Sequence, residues 1–268
     1  MLMKKKSNKP LEGRIALVTG VSRRKGIGFA IASRLAQDGA DLFIQSYSPY
    51  DEGSPWGAEP NGIDSILTEL KNHGHRVEHI EANFNDPEAP RRVVEKAFQT
   101  FSNIDILIAN HTYWLEGKLE DLIAENIDTH MNVNVRATLL LIKEWSTRHD
   151  DNRQGGRVVM MTSGQHLSPM CDELSYVASK GALHQLTQSI SYTLVKRGIT
   201  VNTVNPGATD TVDYQRYYPE IYQAVLDKEP QGRWGQPEDA ARLIAWLVSD
   251  EAQWISGQVI NSDGGVHF

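Results

Sequence analysis

The stretch SYVASKGAL contains the residue pair best suited to acid–base chemistry. Tyr176 and Lys180 stand four residues apart at the start of a helical pattern, so their side chains share one face of that helix. A tyrosine titrates near ~10 and exchanges protons poorly at neutral pH unless an adjacent ammonium stabilises its phenolate. Lys180 is placed to do this, although a surface pair without a function has the same spacing.

The stretch TGVSRRKGIG, residues 19–28, packs three cations into a glycine-rich turn. Glycine lacks a Cβ and lets a backbone approach a ligand closely, and Arg23, Arg24 and Lys25 supply positive charge. The spacing is not G-x-G-x-x-G, and the G-K-[ST] ending of a nucleotide-hydrolysing loop is missing. Taken alone, the turn indicates either an anion site or a glycine-rich turn with solvated charges.

Alternating strands and helices must position these residues. Between short β-branched runs lie segments with apolar residues at helical spacing, such as Ile27, Ile31 and Leu35. The predicted strands are RIALVTG, ADLFIQS, RVEHIEA, IDILIAN, GRVVMMTS, GITVNTVNP and GQVINSDGG. This order predicts an α/β fold, a single-domain Rossmann-type doubly wound sheet of about seven parallel strands with helices on both faces.

The cation-rich turn therefore lies between a strand, IALVTG, and a helix that begins near Ile27. Backbone amides at such a helix N-terminus favour a phosphate. The segment 48–62, SPYDEGSPWGAEPNG, is rich in Pro and Gly and predicts a loop between the second strand and its helix.

Composition excludes several classes of function. The net charge of -7 argues against a broad nucleic-acid surface, while a local basic pocket remains compatible with it. Cys171 is the only cysteine, so a disulfide framework and a thiolate-rich zinc site are excluded and a reducing, cytoplasmic location is expected. The histidines of HGHRVEH lack a partnered carboxylate motif, so no metal is expected.

No membrane segment is predicted. The longest strongly apolar run, ATLLLI at 137–142, falls far short of the ~20 residues that a spanning helix needs. The start, MLMKKKSNKP, lacks the apolar region of a signal peptide and predicts a flexible basic arm at 1–10.

The chain resembles the short-chain dehydrogenases/reductases, from about Leu11 to Gly265. The residues carrying the resemblance are TGVSRRKGIG, Asn110, VNVRAT, MMTSG, YVASK, VNPGATDT and the close GRWGQPEDAARLIAWLVSDEAQWISGQVINSDGG. The 3-oxoacyl-[acyl-carrier-protein] reductase-like branch is the most similar, chiefly because of that close. The resemblance implies one domain over 11–268, with a substrate lid at about 208–236.

The same resemblance implies a catalytic set of Asn134, Ser163, Tyr176 and Lys180. Tyr176 would exchange a proton with the substrate oxygen, and Ser163 would hydrogen-bond that oxygen. Lys180 would lower the tyrosine pKa and hold the nicotinamide ribose, while Asn134 would hold a water in a proton relay. The structural alternatives are a strand-capping hydroxyl for Ser163 and a satisfied helical amide for Asn134.

The implied cofactor is NADP, with NAD as the alternative. NAD-selective relatives end the second strand with a carboxylate, whereas FIQSYS offers Gln45, Ser46 and Tyr47 there. The turn cations would read the 2′-phosphate, or Lys25 would act alone. The implied contact residues are Gly20, Ser22, Arg23, Arg24, Lys25, Gly26, Ile27, Gly28, Ser46, Asn83, Phe84, Asn110, Tyr176, Lys180, Pro206, Gly207, Thr209 and Thr211.

The chain departs from the family pattern at the site itself. Five residues, not three, separate TG from GIG, and ANHT stands where the family has NNAG. His111 is therefore either a substrate contact or a partly buried histidine satisfied by backbone. The candidate substrate pocket comprises His111, Trp114, His166, Met170 and Tyr214.

These features predict an NADPH-dependent carbonyl reductase acting on a 3-oxoacyl thioester or related ketone. The alternatives are an NAD(P)-dependent dehydrogenase of a sugar or other secondary alcohol, and a catalytically silent NADP-binding sensor or scaffold. Docking of an acyl carrier protein is left open, because Arg197 matches one arginine of the family's docking pair and Leu140 replaces the other. By analogy with the family, we expect a homotetramer.

Overall fold

The computed structural model describes residues 9–153 and 155–266. Most of the basic arm predicted at 1–10 lies outside the described residues, while Lys9 and Pro10 are exposed. The chain from Leu11 onward forms one α/β unit around a single sheet.

Seven parallel strands form that sheet in the order β3-β2-β1-β4-β5-β6-β7. The strands are β1 (Ile15–Thr19), β2 (Asp41–Ser46), β3 (Val77–Glu81), β4 (Ile106–Ala109), β5 (Arg157–Met161), β6 (Thr200–Asn205) and β7 (Val259–Asn261). The order reverses between β1 and β4, which opens a crevice at their carboxyl ends. All seven predicted strands and the doubly wound Rossmann-type fold are confirmed.

Helices cover both faces of the sheet. They are α1 (Ile27–Gln37), α2 (Ser48–Glu52), α3 (Gly62–Lys71), α4 (Ala89–Phe101), α5 (Ala124–His130), α6 (Ala137–Arg148), α7 (Leu174–Leu194), α8 (Tyr214–Tyr217), α9 (Pro219–Leu226) and α10 (Pro237–Leu247). One core joins α1, α3 and α10 to the sheet, and a second core joins α4, α6 and α7 to its other face. Adjacent residues of β1 alternate between these cores: Leu17 packs in the second and Val18 in the first.

Two local features differ from the sequence-based expectation. The segment 48–62, predicted as a loop, begins with the short helix α2, in which Pro49 occupies the first turn. The helix that carries Asn134 is also irregular, because a π-helix (Met131–Arg136) joins α5 to α6. A single π-turn shifts the helical spacing over only a few residues, so the apolar periodicity on either side does not reveal it.

The predicted lid region folds as two short helices and a turn. The helices α8 and α9 lie within 208–236, and Trp234 packs face to face with Tyr222, with 5.5 Å between the ring centroids. The Trp234 indole also donates to the Tyr222 carbonyl oxygen at 3.0 Å. These contacts hold this segment together after the carboxyl end of β6.

Candidate active site

The cation-rich turn joins β1 to α1 at the crevice. Helix α1 begins after Gly26 with no side-chain cap and no acidic residue in its first turn, so its amide groups are open to an anion. A Cβ on Gly28 would lie 2.2 Å from the Gly20 carbonyl oxygen, so glycine is needed there for the turn to close. The geometry fits a dinucleotide pyrophosphate.

Acidic partners neutralise two of the three turn cations. The Arg23 Nε donates to Asp51 at 2.7 Å, and its guanidinium lies 5.3 Å from the centre of the Trp56 ring. Arg24 pairs with Glu59 through its backbone amide and its guanidinium, and with Glu69 through Nε at 2.5 Å.

The third cation is the least committed of the three. The Lys25 side chain is 56% exposed, and its Nζ lies 3.6 Å from an Asp213 carboxylate oxygen. An exposed ion pair at that distance contributes little, so Lys25 is the cation readiest to meet a phosphate.

The segment 48–62, hereafter the arch, crosses the mouth of the crevice. Its Tyr50 hydroxyl donates to the Trp114 carbonyl oxygen at 3.2 Å, and Asp51 ties it to Arg23. Arg23 in turn donates to the Thr211 carbonyl oxygen at 3.0 Å, near the start of the predicted lid region. The arch is therefore a wall of the cavity and not a loose connection.

The Tyr176 and Lys180 side chains meet Ser163 inside the crevice. Ser163 follows β5, and the two others lie in the first two turns of α7. The Lys180 Nζ donates to the Met161 carbonyl oxygen at 3.0 Å and lies 5.5 Å from the centre of the Tyr176 ring. The predicted one-face placement is present in the structure.

Burial sets the protonation of this pair. Desolvation raises the pKa of Tyr176 well above its usual value, and the hydrogen bond with Ser163 offsets part of that rise. Desolvation also lowers the pKa of Lys180 to about 7. The lowering of the tyrosine pKa by Lys180 stays a prediction.

The side-chain amide of Asn134 hydrogen-bonds two neighbouring elements. Its Nδ2 donates to the Tyr113 carbonyl oxygen at 3.0 Å and to the Ser179 hydroxyl at 2.9 Å, and its Oδ1 accepts from the Tyr113 amide at 2.7 Å. The side chain therefore fastens the loop after β4 to helix α7. These contacts match the satisfied-amide alternative, and a role in proton relay stays a prediction.

His111 is buried at the junction of three elements. Its Nε2 donates to the Val133 carbonyl oxygen at 3.0 Å, so Nδ1 accepts from the Thr19 hydroxyl at 2.7 Å. Its ring packs 4.3 Å from that of Phe84. Burial lowers the pKa of His111 to about 3, so the ring is neutral, and a contact with substrate stays a prediction because His111 also lines the cavity described below.

One cavity of about 580 Å³ collects most of the predicted site. The predicted residues that line it are Gly20, Ser22, Arg23, Gly26, Ile27, Gly28, Asn110, His111, Trp114, Ser163, Met170, Tyr176, Lys180, Pro206, Gly207, Thr209, Thr211 and Tyr214. Tyr50, Asp51, Trp56 and Glu173 also line it and were missed. The arch carries three acidic residues, and the glycine-rich turn before it carries three cations. This match in charge is the sequence signal that could have predicted the contact between Asp51 and the turn.

Seven predicted site residues lie outside the cavity lining: Arg24, Lys25, Ser46, Asn83, Phe84, Asn134 and His166. Ser46 is buried and bonds His79 at 2.8 Å, and Asn83 caps its own turn by accepting from the Asn85 amide. The His166 ring packs against the His184 ring, with 4.6 Å between the ring centroids. His166 is thus misplaced in the predicted substrate pocket, because its ring packs along α7.

The parallel sheet, the open helix terminus and the Tyr–Lys pair beside it are the features of a Rossmann-type oxidoreductase. Residues 20–267 match the family model described as enoyl-(acyl carrier protein) reductase. The uncharacterized oxidoreductase YjdA of Bacillus subtilis is 39% identical over 94% of this chain and 96% of its own length. The chain belongs to the short-chain dehydrogenase/reductase family.

Two further similarities bear on the predicted branch and cofactor. The 3-oxoacyl-[acyl-carrier-protein] reductase FabG of Rickettsia conorii is 32% identical over 96% of this chain and 98% of its own. A blue fluorescent protein from a metagenomic library, solved in complex with NADPH, is 31% identical, with a TM-score of 0.85 over 96% of this chain and 99% of its own. The names of the relatives state several different substrates.

Two classes of feature are missing from the described residues. None of the helices in 9–153 and 155–266 is both long and apolar enough to cross a membrane. Within the same ranges, no three His, Cys, Asp or Glu side chains converge as a metal site would require.

Proposed function

We propose that this protein is an NADPH-dependent carbonyl reductase. The observation that carries the proposal is the convergence of Tyr176, Ser163 and Lys180 on the cavity that also receives the uncapped N-terminus of α1. A ketone in that cavity would meet a proton donor and a second hydrogen-bonding hydroxyl at one oxygen.

The protonation of the pair suits reduction. Tyr176 carries its proton at neutral pH and can donate it to a carbonyl oxygen as negative charge develops there, although burial raises its pKa and so makes it a weaker acid than an exposed tyrosine. Ser163 hydrogen-bonds the same oxygen as negative charge develops. A bound reduced nicotinamide supplies the hydride. Lys180, with a pKa near 7, can return a proton to the tyrosine and keeps N–H groups for ribose hydroxyls.

The preference for NADPH rests on the end of β2 and on Lys25. The strand ends in Gln45 and Ser46, both buried, so no carboxylate is offered to a ribose there. The nearest acid of the arch, Asp51, is bonded to Arg23. Lys25 would then provide the main charge for a 2′-phosphate, with NADH as the weaker alternative.

An acyl carrier protein gains little support as partner. The one matching arginine, Arg197, donates to both carboxylate oxygens of Asp151 at 2.8 Å and to the Ser146 carbonyl oxygen. Its charge is already paired. We therefore propose a free small-molecule ketone as substrate.

The deciding experiment is oxidation of NADPH or NADH measured by absorbance across acetoacetyl thioesters, simple ketones and dicarbonyls. Turnover that prefers NADPH and disappears in Tyr176→Phe is expected. Turnover only in reverse, with NAD and secondary alcohols or sugars, would instead make the protein a dehydrogenase. Tight NADPH binding without any turnover would favour a sensor.

A further inference from the structure

The carboxylate of Glu173 lines the cavity with the Trp114 indole as its side-chain partner and with no counter-charge beside it. Glu173 is the N-cap residue of α7, yet its side chain makes no capping hydrogen bond. Among the described residues, no basic side chain contributes to the shift of the Glu173 pKa. Glu173 nevertheless lines the active-site cavity, one helical turn before Tyr176.

The backbone holds Glu173 firmly at this position. The Gly117 amide donates to the Asp172 carbonyl oxygen at 2.8 Å, and the Leu174 amide donates to the Gly117 carbonyl oxygen at 3.2 Å. These two bonds bracket Glu173 and pin the start of α7 to the loop after β4. The carboxylate is therefore presented to the cavity from a fixed point.

The surroundings leave the negative charge of this carboxylate without a positive partner. Burial raises the pKa of Glu173, the Trp114 indole partly offsets the rise, and the negative neighbours Glu116 and Asp172 add to it. The adjacent Asp172 differs, because its side chain is 67% exposed and lies 3.7 Å from the Lys118 ammonium. A half-buried carboxylate without a counter-charge is most stable when a ligand brings it a donor.

The walls around Glu173 are aromatic. Trp114, Tyr214, Tyr218 and Trp234 line the same cavity, and the Tyr214 and Trp234 rings stack with 4.6 Å between their centroids. Such walls fit a flat or apolar ligand body. A single acceptor in apolar walls then orients that body by one polar group.

We propose that Glu173 selects carbonyl substrates that carry a hydrogen-bond donor, a hydroxyl or a protonated amine, beyond the reacting carbonyl. This inference rests on the proposed reductase function. The donor meets Glu173 while the carbonyl oxygen meets Tyr176 one turn further along α7. A ketone of the same shape without a donor leaves the carboxylate desolvated with only the Trp114 indole as donor, so it is disfavoured.

The test compares three ketones on one skeleton: 3-(aminomethyl)acetophenone, 3-(hydroxymethyl)acetophenone and 3-ethylacetophenone. We expect kcat/KM with NADPH to favour each donor-bearing ketone by about tenfold over the ethyl compound. Glu173→Met should bring the three within about twofold of each other. Glu173→Gln keeps an acceptor but loses the charge, so it should retain the preference for hydroxyl and lose that for amine.

Asp172→Asn is the matched control, because it removes one negative charge next to Glu173 from an exposed side chain. It should keep the wild-type preference. The proposal is overturned if wild type shows no preference, or if Glu173→Met keeps it.

Calorimetric titration of the same ketones into the NADPH-saturated protein separates this inference from the proposed reaction. A Glu173-dependent tightening for the donor-bearing ketones, without turnover, would support the selection and refute the reductase. Equal dissociation constants for the three ketones in wild type and Glu173→Met would overturn the selection, whatever the turnover.

Discussion

At the residue scale, Tyr176 holds its proton because burial opposes the phenolate more strongly than its neighbours favour it. Tyr176→Phe should therefore lower kcat by at least about 100-fold, since only the proton donor is removed. NADPH binding, followed by fluorescence titration, should change little. Tyr192→Phe is the control, because Tyr192 lies on the same helix but is 75% exposed. Loss of less than tenfold in Tyr176→Phe would remove Tyr176 from the reaction.

His111 makes the protein sensitive to acid. Its folded-state pKa of about 3 lies below the ordinary 6.5, so between these values the unfolded chain binds more protons and stability falls as the pH falls. One such group contributes a slope of up to about 1.4 kcal/mol per pH unit in that window.

Urea unfolding of wild type and His111→Asn from pH 7 to 3.5 measures this slope. The variant should be less stable at pH 7, because it loses the ring's bonds to Thr19 and Val133. Its free energy of unfolding should then decline less steeply with acid. Parallel curves would show that another group titrates.

At the scale of elements, the arch and the turn form one ion-paired unit. Arg24 is held by Glu59 and Glu69, while Lys25 is exposed and weakly paired. Lys25→Ala should therefore weaken NADPH binding by about tenfold and NADH by less than about twofold.

Two further variants, Arg24→Ala and the combination of Arg24→Ala with Lys25→Ala (the double variant), complete the cofactor measurement. We expect Arg24→Ala to add a smaller loss for NADPH, because its guanidinium is shared with two carboxylates. Lys118→Ala, an exposed cation in the loop after β4, is the control. Equal losses for NADPH and NADH in the double variant would show that these cations do not read the 2′-phosphate.

The regular elements could be predicted from the sequence, and the long-range pairs could not. Runs such as IALVTG mark buried strands because both faces of a parallel sheet are covered. No periodicity links Arg24 to Glu69, 45 residues further along the chain, since their contact depends on how the arch folds. The helical spacing of Tyr176 and Lys180 was local and could be read directly, whereas their pKa values depend on burial by the whole fold.

At the scale of the whole molecule, exposed aromatic residues bear on assembly. Trp254 is 96% exposed and Trp246 is 39% exposed. Exposed apolar side chains of this size are typical of interfaces between subunits. We expect a homotetramer by light scattering and its dissociation in Trp254→Glu. A wild-type monomer would overturn the expected assembly.

The strand order has a consequence for biosynthesis. Arg23 of the glycine turn reaches its partner Thr211 only after β6 has been made, because Thr211 follows β6 in the chain. A nascent chain that has emerged only as far as β4 has the glycine turn but neither the tyrosine nor Thr211. The dinucleotide pocket is therefore complete only after β6 has been made, and until then the apolar faces of β1 and β4 lack part of their cover.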